Sequence, residues 1–282
     1  MFTIDEYLAA KRVGARYTGR AGSDKTIYAY RTGLRLAERL VGKPLSKFTE
    51  ADADTLMHKM NESSYEKAYK ANILAALRGA FSWAIGVGRY EGSHPFAAIG
   101  TPQVRRKIPT ILSQEQLTCF FAAFRRRKYR LFFKLMYYGG LRIGEVRMLK
   151  RTDFDDEGII INGKGDKQRY VYLPAKLYGE LREYMNDHNE SEYVFYGYKV
   201  GQPIGNAELY KEFGRAKEIC GLPEALHPHN LRHTSATHMH AHTGDLAMTQ
   251  KFLGHSNPQT TMIYIHTTDQ QLKKAQKAVF ER

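Results

Sequence analysis

A chain of 282 residues, 43% hydrophobic and 26% charged, can bury a large core, which excludes intrinsic disorder over most of its length; at about 150 residues per domain it divides into two. Its formal charge of +14 calls for a polyanionic partner, nucleic acid ahead of an acidic membrane surface. Fifteen basic and 10 acidic residues lie up to Gly100, and 28 basic and 19 acidic beyond it, so neither half is a neutral passenger.

Asp5 and Glu6 stand where a secretion signal would need basic residues followed by an apolar run, and residues 1–22, basic through Lys11, Arg12, Arg16 and Arg20, are the candidate for a short contact arm. From Ser23 to about Ala98 the pattern is helical, with Ile27, Tyr30, Leu34 and Ala37 recurring at three and four residues and Ser23 offering a cap. Gly42-Lys43-Pro44 breaks that helix, Ser46 to Asp54 turns into a second, and Tyr69 to Val87 reads as a long third whose apolar side carries Ile73, Leu77, Phe81 and Ile85. The most apolar stretch, Ile73 to Gly88, is interrupted by Arg78 and Ser82 and falls short of the ~20 apolar residues a membrane span needs. A helical domain over 1–99 is therefore expected, then an exposed linker over 100–109 carrying Arg105, Arg106 and Lys107, then a second domain over 110–282.

Ser113 with Gln116 three residues on reads as a capping box that restarts helix. Cys119 and Cys220 could form at most one bridge in so long a chain and both look like apolar helix positions, so a reduced, cytoplasmic protein is expected. Past Lys150 the period drops to two: Gly158 to Asn162 and Arg169 to Leu173 read as strands of a hairpin. Pro228, Gly244, Asp245 and Gly254 then punctuate two consecutive helices, and Asn257-Pro258 starts a short third. The fold class that follows is mainly α with a small antiparallel β-sheet.

Four segments could carry chemistry. Gly139 to Glu145 puts Arg142 at a helix start with Glu145 on the same face; a surface ion pair would look the same. His229 and Arg232 share a helical face just after Pro228, where free amides favour an anion, while His227, His229, His233, His238, His240 and His242 offer zinc spacings with only Asp245 as an acidic companion. Gly158 to Lys164 matches the start of a nucleotide-binding loop, but Gly165 stands where Ser or Thr must hold magnesium, so Lys164 is better read as a hairpin-tip residue able to reach a DNA groove or a reacting phosphate. Leu253-Gly254-His255 places a His after a helix stop, and Tyr264 follows nine residues later.

Each segment alone is weak, but their order is specific. The set Gly140 to Glu145, Gly163 to Arg169, His229 to Thr234, Leu253 to His255 and Tyr264 resembles the tyrosine recombinases, the phage-integrase and Xer-type site-specific DNA recombinases, from about Leu112 to the end. Gly144 and Asn230 stand where Ser and Asp are commoner in that motif set, and neither removes a reacting group.

The resemblance implies a helical core-binding domain joined to a catalytic domain, the two closing around duplex DNA. It implies that Arg142 and Arg232 hold the scissile phosphate and Tyr264 attacks phosphorus to give a 3′-phosphotyrosine. Lys164 would protonate the departing 5′-oxygen, with Lys167 a nearby alternative, and His229 and His255 would bond the phosphate or move the tyrosine proton. Glu145 would orient the arginines. Arg105, Arg106, Lys107, Lys167 and Arg169 would contact DNA, and Arg125 to Lys128 with Arg130 could add phosphate contacts or simply form a solvated basic face.

No cofactor, metal or membrane is implied. Self-association into a tetramer on DNA, through exchange of a C-terminal helix over Thr267 to Arg282, is implied beside the alternative that this helix packs on its own domain. A recombinase-like DNA-binding regulator, a metal-dependent nuclease built on the His run and a topoisomerase-like relaxing enzyme are the competing readings.

Overall fold

The structure, a computed structural model, describes residues 1–103, 109–156, 158–162 and 168–254. Arg105, Arg106 and Lys107, the hairpin tip with Lys164 and Lys167, and His255, Tyr264 and the expected terminal helices lie outside the described residues. The chain separates into two compact units, Met1–Arg106 and Lys107–Arg282.

The first unit begins with a helix where the sequence reading placed a contact arm. Thr3 and Glu6 form a reciprocal cap, with the Glu6 carboxylate accepting the Thr3 amide at 2.8 Å and the Thr3 hydroxyl accepting the Glu6 amide at 3.2 Å, and α1 (Ile4–Val13) follows. It buries Ile4, Tyr7 and Leu8, so residues 4–13 pack on this unit as a helix, with Arg12, Arg16 and Arg20 exposed. Ser23 caps α2 (Asp24–Val41), which ends at Gly42. A short 3-10 turn, Leu45–Lys47, leads to α3 (Glu50–Glu62), and α4 (Lys67–Gly86) completes the bundle. Phe81 of α4 stands at the centre, its ring 4.9 Å from Tyr90 and 5.5 Å from both Phe2 and Phe96. Ile73 and Leu77 join this core as expected, whereas Ile85 is 37% exposed because the apolar face has rotated away by the last turn.

The second unit starts at the Ser113 capping box of α5 (Gln114–Ala122). Its spine is α6 (Arg127–Tyr138), in which Leu131, Phe132, Phe133, Leu135 and Met136 are wholly buried. Around that spine lie α5, the short α7 (Ile143–Arg147), α8 (Ala175–Asp187) and α10 (Pro228–Thr243). Between α7 and α8, β1 (Gly158–Asn162) pairs antiparallel with β2 (Gln168–Tyr172), Ile159 facing Val171 and Ile161 facing Arg169. The helices α9 (Asn206–Ile219) and α11 (Leu246–Leu253) complete the unit. Mainly helical with a two-stranded antiparallel sheet is thus the observed class.

The two cysteines differ from the reduced pair expected. Cys119 in α5 and Cys220 at the end of α9 are 101 positions apart, yet α5 packs on α9 and their Cα atoms lie 6.0 Å apart, joined as a disulfide. None of the described helices is long and apolar enough to cross a membrane.

Candidate active site

Arg142 owes its position to a sharp turn. After α6 ends, Gly140 takes φ +58°, a conformation that side chains rarely adopt, and a Cβ there would sit 2.6 Å from the Phe252 ring of α11. The turn sets Arg142 at the start of α7 and Glu145 at its third position. The Glu145 carboxylate accepts the Arg142 amide at 2.8 Å on Oε2 and the Arg142 guanidinium at 2.7 Å on Oε1.

The second arginine comes from α10. Its first turn is fixed by Pro228 and by Asn230, whose side chain accepts the His227 amide at 2.9 Å and donates to the Thr110 carbonyl at 3.2 Å. That turn delivers Arg232, only 4% exposed, beneath the α6–α7 corner. Arg232 donates to the Gly140 carbonyl and, at 2.7 Å, to the Leu253 carbonyl, and its Nη1 lies 3.9 Å from Glu145 Oε2. Sequence spacing carries no information about this convergence of residues ninety positions apart; one carboxylate gathers both.

Arg169, expected to contact DNA, directs its guanidinium at Glu145. Its Nη1 and Nη2 donate to Glu145 Oε1 at 3.1 Å and Oε2 at 2.7 Å, a fork in which the Arg169 side chain is 13% exposed. Strand alternation explains the direction, since Gln168, Tyr170 and Tyr172 point outward while Arg169 and Val171 point in.

Three guanidinium groups therefore surround one carboxylate. Burial would raise the carboxyl pKa of Glu145, but the Arg169 fork and the Arg142 bonds overcome that and hold it at about 2. Among the described residues three guanidinium groups meet one carboxylate, and the Arg142 side chain, 42% exposed, faces solvent. This is a site for an anion, with its strongest donors prearranged.

His229 shares the helical face of Arg232 and is solvent-exposed. Its pKa is lowered, first by partial desolvation of the ring and then by the charge of Arg232. His233, one turn on and 6.4 Å away ring to ring, is pushed by burial and then by His229 and Arg232 to about 4. Among the described residues no three of His, Cys, Asp and Glu are grouped so as to hold a metal ion.

The basic run at the start of α6 turns partly inward. Arg127 bonds the Glu180 carbonyl at 2.9 Å and Glu183 at 2.7 Å, and Lys128 bonds Glu208 at 2.7 Å, while Arg125 and Arg126 remain exposed. The carboxylates of α8 and α9 that engage Arg127 and Lys128 were invisible to a count of positive residues.

With this geometry in place, comparison with known proteins is decisive. The sequence model of the phage integrase family matches residues 110–271. The chain belongs to that family, the tyrosine recombinases. A tyrosine recombinase of Thermosipho africanus is 28% identical over 264 residues, covering 89% of this chain and 92% of its own length. One of Pseudothermotoga lettingae is 31% identical over 220 residues, covering 76% and 73%. Among solved structures, the XerH site-specific recombinase bound to its palindromic difH substrate, in a post-cleavage complex, matches with a TM-score of 0.73 and 27% identity over 91% of this chain and 80% of its own. This recombinase thus has the family's fold over both units.

Proposed function

We propose that the protein cuts and rejoins DNA at a specific duplex site through a covalent 3′-phosphotyrosine on Tyr264, using neither ATP nor a metal ion. The observation that carries this reading is the convergence of Arg142 and Arg232 on Glu145, with the Arg142 side chain exposed where a phosphate could reach it. Two fixed guanidinium groups suit the pentacoordinate transition state, whose extra negative charge they stabilise more than that of the resting diester.

In the step proposed, the Tyr264 hydroxyl gives its proton to a histidine, His229 or His255, and its oxygen bonds to phosphorus. The bond from phosphorus to the 5′-oxygen breaks, and that oxygen takes a proton from Lys164. The diester count is unchanged, so the reverse attack by a new 5′-hydroxyl reseals a strand with no energy source. His229, on the helical face of Arg232 and with a lowered ring pKa, is suited to accept or share a proton at the phosphate, with His255 as its counterpart by motif position. The partner is a double-stranded recombination site, on which the family resemblance supports assembly of a tetramer.

Footprinting on flanking DNA locates the site, and a nicked suicide duplex of that sequence then tests the chemistry. Wild type is expected to give a protease-sensitive covalent adduct that persists in excess chelator, and Tyr264→Phe none. An adduct surviving in Tyr264→Phe overturns the assignment; tight site binding with no adduct from wild type points instead to a regulator on the same fold.

A further inference from the structure

Arg169 is an unusual charge to find on the inward face of a hairpin. It stands opposite Ile161 in the register, on the side that also carries Ile159 and Val171, and nothing about packing requires a guanidinium there. A methionine would fill such a place with no charge to desolvate. What the guanidinium does reach is Glu145, both of whose oxygens it takes in a fork. The same side chain lies against Gly254 at the end of α11, where a Cβ would meet its Cδ at 2.6 Å and φ is +63°. Leu253, one residue earlier, supplies the carbonyl that holds Arg232. Arg169 thus touches α7 through Glu145 and the end of α11 through Gly254, the two elements whose groups fix Arg142 and Arg232.

We propose that Arg169 is a positioning residue for strand cleavage: by gripping Glu145 and packing on Gly254 it sets the carboxylate against which Arg142 and Arg232 are aimed, and it does not contact DNA. The proposal rests on the cleavage reading above for its rate readout, but its structural half stands apart from it. A single carboxylate with two oxygens can swivel about its terminal torsion, whereas a forked guanidinium admits one orientation. Among the described residues the charged groups facing Glu145 are Arg142 at the start of α7, Arg169 from β2 and Arg232 from α10, with the titratable ring of His229 also from α10, so removal of Arg169 takes away the bidentate partner and leaves the others.

The test uses the full chain with Arg169→Met, Arg169→Lys, Glu145→Gln and the double variant Arg169→Met with Glu145→Gln. In Arg169→Met the single-turnover rate of adduct formation at saturating protein is expected to fall about 10–100-fold, with Arg169→Lys between it and wild type. Affinity for the site is expected to stay within about twofold, with the same dependence on salt, since no phosphate contact is lost. The double variant is expected to be no slower than the slower single, because Arg169 acts through Glu145. Independently of activity, 13C NMR is expected to show the Glu145 carboxyl titrating higher in Arg169→Met than in wild type.

The proposal is overturned if Arg169→Met binds DNA more weakly with a salt slope smaller by about one and cleaves at the wild-type rate once saturated. It is also overturned if the two slow rates multiply in the double variant, or if the Glu145 titration does not move. Absence of an adduct from wild type would count against the cleavage reading, and the titration then decides the pairing by itself.

Discussion

Replacing Glu145 by Gln removes the one negative charge at a point where three guanidinium groups meet. A carboxyl that ordinarily titrates at 4.5 and here titrates at about 2 is worth about 3 kcal/mol to the folded state at neutral pH, at 1.36 kcal/mol per pH unit. Only 10% of the side chain is exposed, so water screens little of this. The amide keeps one acceptor, which brings the expected loss to about 2–3 kcal/mol and the fall in melting temperature of the second unit to about 5–10 °C. Trp83, the single tryptophan, lies in the first unit, so its fluorescence provides an internal control that should not change. The second unit is followed by far-ultraviolet circular dichroism over the same temperature range. Because the folded pKa is depressed, the carboxylate's contribution is complete above about pH 4.5 and drains as pH falls toward 2, so the gap between wild type and Glu145→Gln should close there. Melting of the variant within a degree of wild type at pH 7 would refute the claim that this charge organises the site.

Three further outcomes follow from the same structure. Gly140→Ala forces a Cβ onto the Phe252 ring at a positive φ that costs an alanine about 1–2 kcal/mol, so thermal unfolding of the second unit should come earlier and adduct formation should slow, since the Gly140 carbonyl accepts from Arg232. His233, pushed from 6.5 to about 4, makes the unfolded chain the better proton binder in that interval; the unfolding free energy from urea titrations should fall as pH drops from about 6.5 to 4, by at most about 1.4 kcal/mol per pH unit, and His233→Gln should flatten the slope. An unchanged slope in the variant would show that the imidazole does not titrate as described. Non-reduced protein should present no reactive thiol and reduced protein two, measured with a chromogenic disulfide reagent.

Much of the fold was legible because it rests on local signals. Ser23, Ser113 and Asp245 cap helices with their own side chains, Pro228 opens α10, and Gly42, Gly244 and Gly254 end helices in left-handed conformations. The change of period to two marked the hairpin strands for the same reason, since alternation is a property of each strand alone. The signal for the first helix is the Thr3–Glu6 capping-box pair, which the acidic character of Asp5 and Glu6 does not by itself disclose. At the site, the residue types and order were readable, but their meeting on Glu145 depends on long-range packing of α6, α7 and α10. The direction of Arg169 was available from strand parity: inward Val171 two residues on commits Arg169 to the same face. Nothing comparable could pair Cys119 with Cys220, since apolar helix positions are common and only the packing of α5 on α9 brings these two together.

That bridge has a topological effect. It closes a ring of backbone that contains α6, α7, both strands, α8 and α9, with Arg142 and Arg169 threaded on the ring and Arg232 beyond it. A single proteolytic nick anywhere between the two sulfurs opens the ring but leaves one covalent object, so the severed pieces migrate together on a gel until a reductant parts them. New chain ends can therefore be introduced inside this segment while the two guanidinium groups remain tethered to one another.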